Sequence, residues 1–499
     1  MARFPFMTAV TLVIAASAAW GQQQIRIDSQ AAANPFPHFW EEAFGSGRAI
    51  LALRDSYRRD LAAVKQATGL QYVRFHGILD DEVGVYTEDA RGNPVYNFSY
   101  VDEIYDGLLE RQVRPFVELS FMPRKLAFNP DALHPFWYKP NVSPPKSLER
   151  WDALITELAR HLIARYGIEE VAQWHFEVWN EPNIDFWGGI PRDKSYYALY
   201  EHTARALKAV NPRIRVGGPA TAAAAWVSEF LQYTVRNHVP VDFVSTHAYA
   251  DDTVENLFGS NEEIPMDERV CRAVRKVHDE IHNSALPTLP LFWTEWNVQG
   301  MKQSRDTLFV GPALANTIRQ CDGLVDLLSF WTFSDVFEEG GPIRRPFEGH
   351  FGLRAKGGIN KPSFYAFSLL HRLGDRRMEN AASNVLATRR SDGSMVIAAW
   401  NLVDPDQTGS EAAMRLNFQH VAPNAAVDIS LLDEHSDTLA VYRSLGSPEY
   451  PTVAQVRQMN QATALRMPER RTLERGHLDL RLGVNALAVV EVPARAAGQ

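Results

Sequence analysis

Two acidic residues in similar settings are the parts of this sequence best suited to chemistry. In Trp174-His-Phe-Glu-Val-Trp-Asn-Glu-Pro-Asn183 an apolar run ends in Asn180-Glu181-Pro182. Proline cannot donate to a strand ladder, so the run ends near Asn180 and Glu181. By average residue usage, Trp-Asn-Glu-Pro-Asn occurs by chance in a chain of this length with a probability on the order of 10⁻⁵ to 10⁻⁴. A second apolar run, Leu291-Phe-Trp-Thr-Glu-Trp-Asn297, closes on Glu295 between tryptophans. Either glutamate alone could be a surface acid behind a core strand. Together they are what cleavage of a glycosidic bond requires, one carboxyl to protonate the leaving oxygen and one carboxylate to attack or to shield the oxocarbenium-like carbon. An acid that later acts as base needs a pKa of roughly 6–7. The charge on Glu295 and the rings of Trp179, Trp293 and Trp296 could each raise it, depending on which of them lies close.

These residues must be carried on elements that bring them together. From about residue 40 to 375, short β-rich runs alternate with amphipathic helical patterns. The strand candidates are 41–45, 72–75, 115–119, 174–178, 215–218, 243–246, 291–294 and 327–331. Such alternation implies parallel strands with crossover helices, and about eight units in this length fit an α/β fold of (β/α)₈ TIM-barrel type. A doubly wound open sheet is less suited, because no GxGxxG follows any strand. In a barrel, Glu181 ends strand four and Glu295 strand seven, both at the mouth where active sites of this architecture sit.

After residue 375 the pattern changes to short alternating strands, which predicts an additional β-sandwich built from residues 376–499. Gln24–Asp28 alternates too, so residues 24–39 are assigned to the same sheets, and residues 40–375 to the catalytic barrel. The segment 446–475, rich in Pro, Gln and Arg, reads as a long excursion rather than a strand. Residues 1–19 read as a signal peptide, with an apolar run Met7–Ala16 and a small-residue site Ala16-Ser17-Ala18. A secreted or periplasmic protein is therefore expected, without a membrane span. The formal net charge of −9 offers no basic face for nucleic acid. His278 and His282 have helical ligand spacing but lack the glutamate of HExxH, and read as a solvated helix face. Cys271 and Cys321 could pair or stay free. Neither carboxylate motif calls for a metal or organic cofactor.

The sequence resembles glycoside hydrolase family 39, the β-xylosidase and α-L-iduronidase family of retaining barrel glycosidases. The resemblance rests on Val73-Arg-Phe-His-Gly-Ile78 with Asp80-Asp-Glu82, Phe176–Asn183, Ser245-Thr-His-Ala-Tyr249, Thr294-Glu-Trp-Asn297 and Phe330-Trp-Thr-Phe-Ser-Asp-Val-Phe-Glu-Glu339. Tyr442-Arg-Ser-Leu-Gly-Ser-Pro448 with Pro451-Thr452 extends it to the C-terminal region. It implies Glu181 as acid/base, Glu295 as nucleophile and Asn180 as partner of the sugar 2-hydroxyl. His76 would bond a sugar hydroxyl, and His247 and Tyr249 would orient the carboxylates and the sugar. Trp331 would be a platform under the ring, and Glu338 and Glu339 would accept from sugar hydroxyls as a pair. The implied partner is an oligosaccharide or glycoside with a terminal β-xyloside first in line. Other neutral sugars remain open, and a uronate would need Arg344 or Arg345 to offset the two acids. The family also allows a homo-oligomer. The different-class alternative is a carbohydrate-binding protein without turnover, which would typically have lost one of the two carboxylates.

Overall fold

Eight short strands form a closed parallel barrel: Ala43–Gly45 (β1), Tyr72–Phe75 (β2), Arg114–Glu118 (β3), His175–Glu177 (β4), Arg215–Thr221 (β5), Phe243–His247 (β6), Leu291–Trp296 (β7) and Leu327–Phe330 (β8). Each strand pairs with its chain neighbour, and β8 closes on β1 through Phe330 and Phe44. The structure is a computed structural model that describes residues 21–298 and 302–494, so the leader expected at residues 1–19 lies outside the described residues. The barrel and the adjoining sheets agree with the fold class read from the sequence.

Local chemistry explains the crossover helices. In Leu148–Tyr166, Ser147 accepts from the Arg150 backbone N–H, satisfying an otherwise orphaned donor of the first turn. Trp151, Leu154, Ile155, Leu158 and Leu162 then recur at helical spacing and are buried. Gly167 ends the helix at φ 79°, a conformation that costs a glycine little.

The barrel interior is graded along its axis. Its lower layer packs Phe116, Phe243 and Phe292 with Ala43 and Leu327, the ring centroids lying 4.9–6.1 Å apart. His175 stands among these rings, where burial pushes its pKa down to about 3. Polar groups therefore collect further up, towards the C-terminal ends of the strands.

Both ends of the chain build the second unit. Gln23–Asp28 pairs parallel with Ala412–Gln419, which pairs antiparallel with His477–Leu482. A seven-stranded sheet faces them, running Ala33–Pro35, Arg376–Met378, Val385–Arg389, Met395–Trp400, Leu487–Val492, Ala426–Leu432 and Glu469–Thr472. Ile25, Ile27, Met414, Leu416, Ile397 and Val490 belong to the shared core between the sheets.

The segment expected to be a plain excursion holds two elements. Thr452 and Gln455 form a capping box that opens the helix Val453–Ala462. Glu469–Thr472 is an edge strand with every residue exposed. Such a strand carries no alternation to read, and its charged residues blunt an edge that would otherwise invite pairing. The two cysteines are paired, Cys271 of Met266–His282 with Cys321 of Val310–Cys321.

Candidate active site

Arg74 on β2 is the hub of the polar layer, and it is fully buried. Its Nε donates to Glu177 Oε2 at 2.6 Å, Nη1 to Glu295 Oε1 at 2.7 Å, and Nη2 to Asn180 Oδ1 at 2.9 Å. Glu118 Oε2 lies 2.9 Å from Nη2. A guanidinium without water is tolerated only when carboxylates surround it, and its five donors fix their positions in return. Glu118 also takes His76 Nδ1 at 2.7 Å. Burial opposes the charged ring of His76, yet the Glu118 carboxylate prevails and lifts its pKa to about 9.

The backbone beyond β4 is contorted. Trp179 and Glu181 take φ of 70° and 42°, left-handed values that non-glycine residues rarely hold. The Glu181 N–H donates to Ala220 O at 2.8 Å, which helps to hold this turn. Glu181 ends up buried, at 9% exposure, with Oε1 3.0 Å from His247 Nδ1.

Following the protons distinguishes the two glutamates. The Thr294 hydroxyl donates to Glu177 Oε1 at 2.7 Å. Its oxygen can therefore only accept from His247 Nε2, 3.0 Å away. Burial drives the His247 pKa down to about 4, so the ring is neutral and its Nδ1 carries a lone pair. The hydrogen between Nδ1 and Glu181 must then belong to Glu181. The same carboxyl has its pKa raised to about 7, first by burial and then by the charges of Glu118 and Glu177, against the pull of His76 and Arg74. Sequence reasoning named neither Glu118 nor Glu177 among the causes. Trp179 packs against Phe121 and Trp187, and its Nε1 donates to Phe186 O.

Glu295 receives donors on both oxygens, Arg74 Nη1 on Oε1 and the Tyr249 hydroxyl on Oε2 at 2.7 Å. That environment suits a carboxylate. A carboxyl oxygen of Glu181, one of Glu295 and a ring nitrogen of His247 all lie within 4.8 Å of one another.

This array sits on a barrel whose sequence relatives point one way. The family profile Glycosyl hydrolases family 39 matches residues 23–478. The chain belongs to glycosyl hydrolase family 39. A Beta-xylosidase of Geobacillus stearothermophilus is 36% identical over 472 residues, covering 92% of this chain and 93% of that protein. The solved monomeric beta-xylosidase from Caulobacter crescentus CB15 superposes with a TM-score of 0.86 at 34% identity, covering 95% of this chain and all (100%) of the other. The GH39 enzyme from Xanthomonas axonopodis pv. citri gives 0.85 at 32%, covering 97% and 100%. The human Alpha-L-iduronidase is similar over a shorter stretch, 30% identical across 153 residues, which is 30% of this chain and 21% of that protein.

In this family 39 glycosidase the structure gathers the sequence-derived candidates into one site but gives them unequal settings. With its Oδ1 held by Arg74, Asn180 keeps its amide N–H groups for a ligand. His76 has its Nδ1 on Glu118, and its Nε2 lies 3.8 Å from Glu295 and 3.7 Å from Glu339. Trp331 is almost fully buried, with His76 at 4.9 Å and Phe337 edge-on.

Glu338 and Glu339 sit in different settings. Arg48 and Arg54 both donate to Glu338, and although burial opposes it, their hydrogen bonds hold its pKa below the usual value. Burial, reinforced by Glu295 and Glu181 against the pull of His76, pushes Glu339 up to about 8, so it carries a proton at neutral pH. Arg344 donates to Glu449 at 2.6 Å, and the exposed Arg345 lies 3.9 Å from the same carboxylate.

Sequence reasoning assigned no role to Arg74, Glu118, Glu177, Thr294 or Arg48. The signal was available in charged residues inside otherwise apolar strands, Val73-Arg74-Phe75 above all, since such groups are almost never buried unpaired.

Proposed function

We propose that this family 39 enzyme is a retaining exo-β-xylosidase in which Glu181 is the acid/base and Glu295 the nucleophile. The observation that carries this reading is the unequal hydrogen bonding of two carboxyls whose nearest oxygens are no more than 4.8 Å apart, Glu181 facing an imidazole lone pair and Glu295 two donors. Retaining enzymes hold their carboxyl groups about 5–5.5 Å apart, whereas inverting ones need about 6.5–9.5 Å to admit a water.

Glu181 gives its proton to the departing glycosidic oxygen as that bond breaks, and Glu295 closes on the anomeric carbon from the opposite face. The Asn180 amide donates to the 2-hydroxyl as positive charge builds on the ring. Once Glu295 is esterified, its charge no longer offsets Arg74 and His76, so their fields draw the Glu181 pKa down. Glu181 then accepts a proton from water, whose oxygen displaces Glu295 and restores the resting state.

A neutral sugar suits the pocket better than a uronate. Arg48 and Arg54 are spent on Glu338, and Arg344 donates to Glu449. A protonated Glu339 offers a donor to a sugar hydroxyl. The two curated beta-xylosidases at 36% identity favour the xyloside reading. Export is part of the same proposal, supported by the leader-like residues 1–19 and by the Cys271–Cys321 bond, which persists in oxidising compartments.

The test is a 2-fluoroxyloside trap together with NMR of the released sugar. Retention of configuration and labelling of Glu295 are expected. Inversion, or a label on another residue, overturns the mechanism. Glu181→Ala should slow natural xylosides by about 10²–10⁴ while sparing activated aryl xylosides. Equal losses on both would remove the acid role.

A further inference from the structure

At the opposite end of the barrel from the mouth, three side chains converge where the chain passes between the sandwich and the barrel. His38 lies between Ala33–Pro35 and β1, Glu41 comes two residues before β1, and His371 follows the helix Pro362–Leu370. His38 Nδ1 is 2.6 Å and His371 Nδ1 2.8 Å from the same oxygen, Glu41 Oε1. One donor atom from each residue lies within 4.8 Å of the others. The Glu41 side chain is buried, and its second oxygen, Oε2, is sealed from solvent without a hydrogen-bond partner.

We propose that His38, Glu41 and His371 form a divalent-metal site, zinc in the first instance, that ties the two domain crossings together. Hydrogen bonding alone gives no reason to crowd two imidazoles onto one oxygen and leave the other bare. A metal does, because two ring nitrogens and one carboxylate leave a fourth position of the zinc tetrahedron for water. That water has an approach, since the His371 ring is 47% exposed and the His38 ring 23%.

Zinc–ligand bonds of about 2.0–2.2 Å imply ligand atoms roughly 3.3 Å apart. The present hydrogen-bond spacings are shorter, so metal entry displaces the bridging protons and opens the two contacts by about half an ångström. The His371 ring, half in solvent, has room for that motion. His38 is braced on the other side by stacking on Trp40 at 4.4 Å. The site lies away from Glu181 and Glu295 and takes no part in their chemistry.

Chelator-treated full-length protein titrated with ZnCl₂ by calorimetry, and with CoCl₂ by visible absorption, reads this directly. One zinc per chain is expected at this site, with a rise in Tm. His371→Ala, His38→Ala and the milder His371→Asn should each weaken binding about 10- to 100-fold and abolish the Tm rise. Aryl xyloside turnover by His371→Asn should match the parent. Binding that is unchanged in all three variants would place the metal elsewhere, the Glu181–His247–Glu295 group being the other set with suitable spacing, and would overturn the proposal. Absence of uptake by the parent protein up to about 1 mM zinc would do the same.

Discussion

Glu181 and Glu295 share one side chain and differ only in which groups reach them. Glu295 faces a guanidinium and a phenol, both donors. Glu181 faces a neutral imidazole that can only accept. The pH profile follows from this. In the proposed acid role Glu181 works from its protonated form, so kcat/KM should fall as pH rises through about 7, roughly tenfold per unit beyond it. His247→Ala removes the acceptor that stabilises that protonated form and admits water, and both changes lower the Glu181 pKa. The alkaline limb should therefore move to lower pH in the variant, by kcat/KM on a natural xyloside, whose poor leaving group needs the proton. A limb that stays in place, or moves up, would mean that His247 donates to Glu181 instead.

At the scale of elements, the site depends on close approaches that only certain residues permit. Gly45 on β1 lies under Trp331, and a β-carbon there would stand 1.9 Å from the ring atom Cε3. Gly45→Ala must push Trp331 out of place. We expect a loss of about 1–3 kcal/mol in stability and at least a tenfold loss in kcat/KM, measured by denaturation and aryl xyloside assay. The segment after β8 is anchored by Lys361, fully buried, with Asp306 and Asp335 at 2.8 and 2.7 Å. Lys361→Met would strand two buried carboxylates and should cost about 3–5 kcal/mol. Much of this level was legible in the sequence, because strand-ending Asn180-Glu181-Pro182 and Glu295 carry their position in their residue types. The division of labour between Glu338 and Glu339 was not, since it depends on Arg48 and Arg54, nearly 300 positions away in the chain. The His38–Glu41–His371 cluster was equally hidden, because its members meet only when the barrel closes. Glu469–Thr472 was missed because an exposed edge strand has no buried face to impose alternation.

Across the whole molecule, the two ends of the chain are stitched into one sandwich. Gln23–Asp28 is an edge strand of the three-stranded sheet, and it begins only a few residues after the expected leader. Ile25 and Ile27 are 3% and 1% exposed, and they pack into the same core as Met414 and Leu416. Burying such side chains contributes about 1.5–3 kcal/mol each. A chain starting at Gln22 should therefore match the full chain in Tm and activity. A chain starting at Ser29 should lose about 3–6 kcal/mol, by denaturant titration, and leave Met414 and Leu416 open to solvent. The catalytic groups lie in the barrel, so kcat on aryl xylosides should survive in the fraction that remains folded. Equal stability of the two truncations would mean that the N-terminal strand adds nothing to the sandwich, and its parallel pairing with Ala412–Gln419 would then have to be an incidental contact.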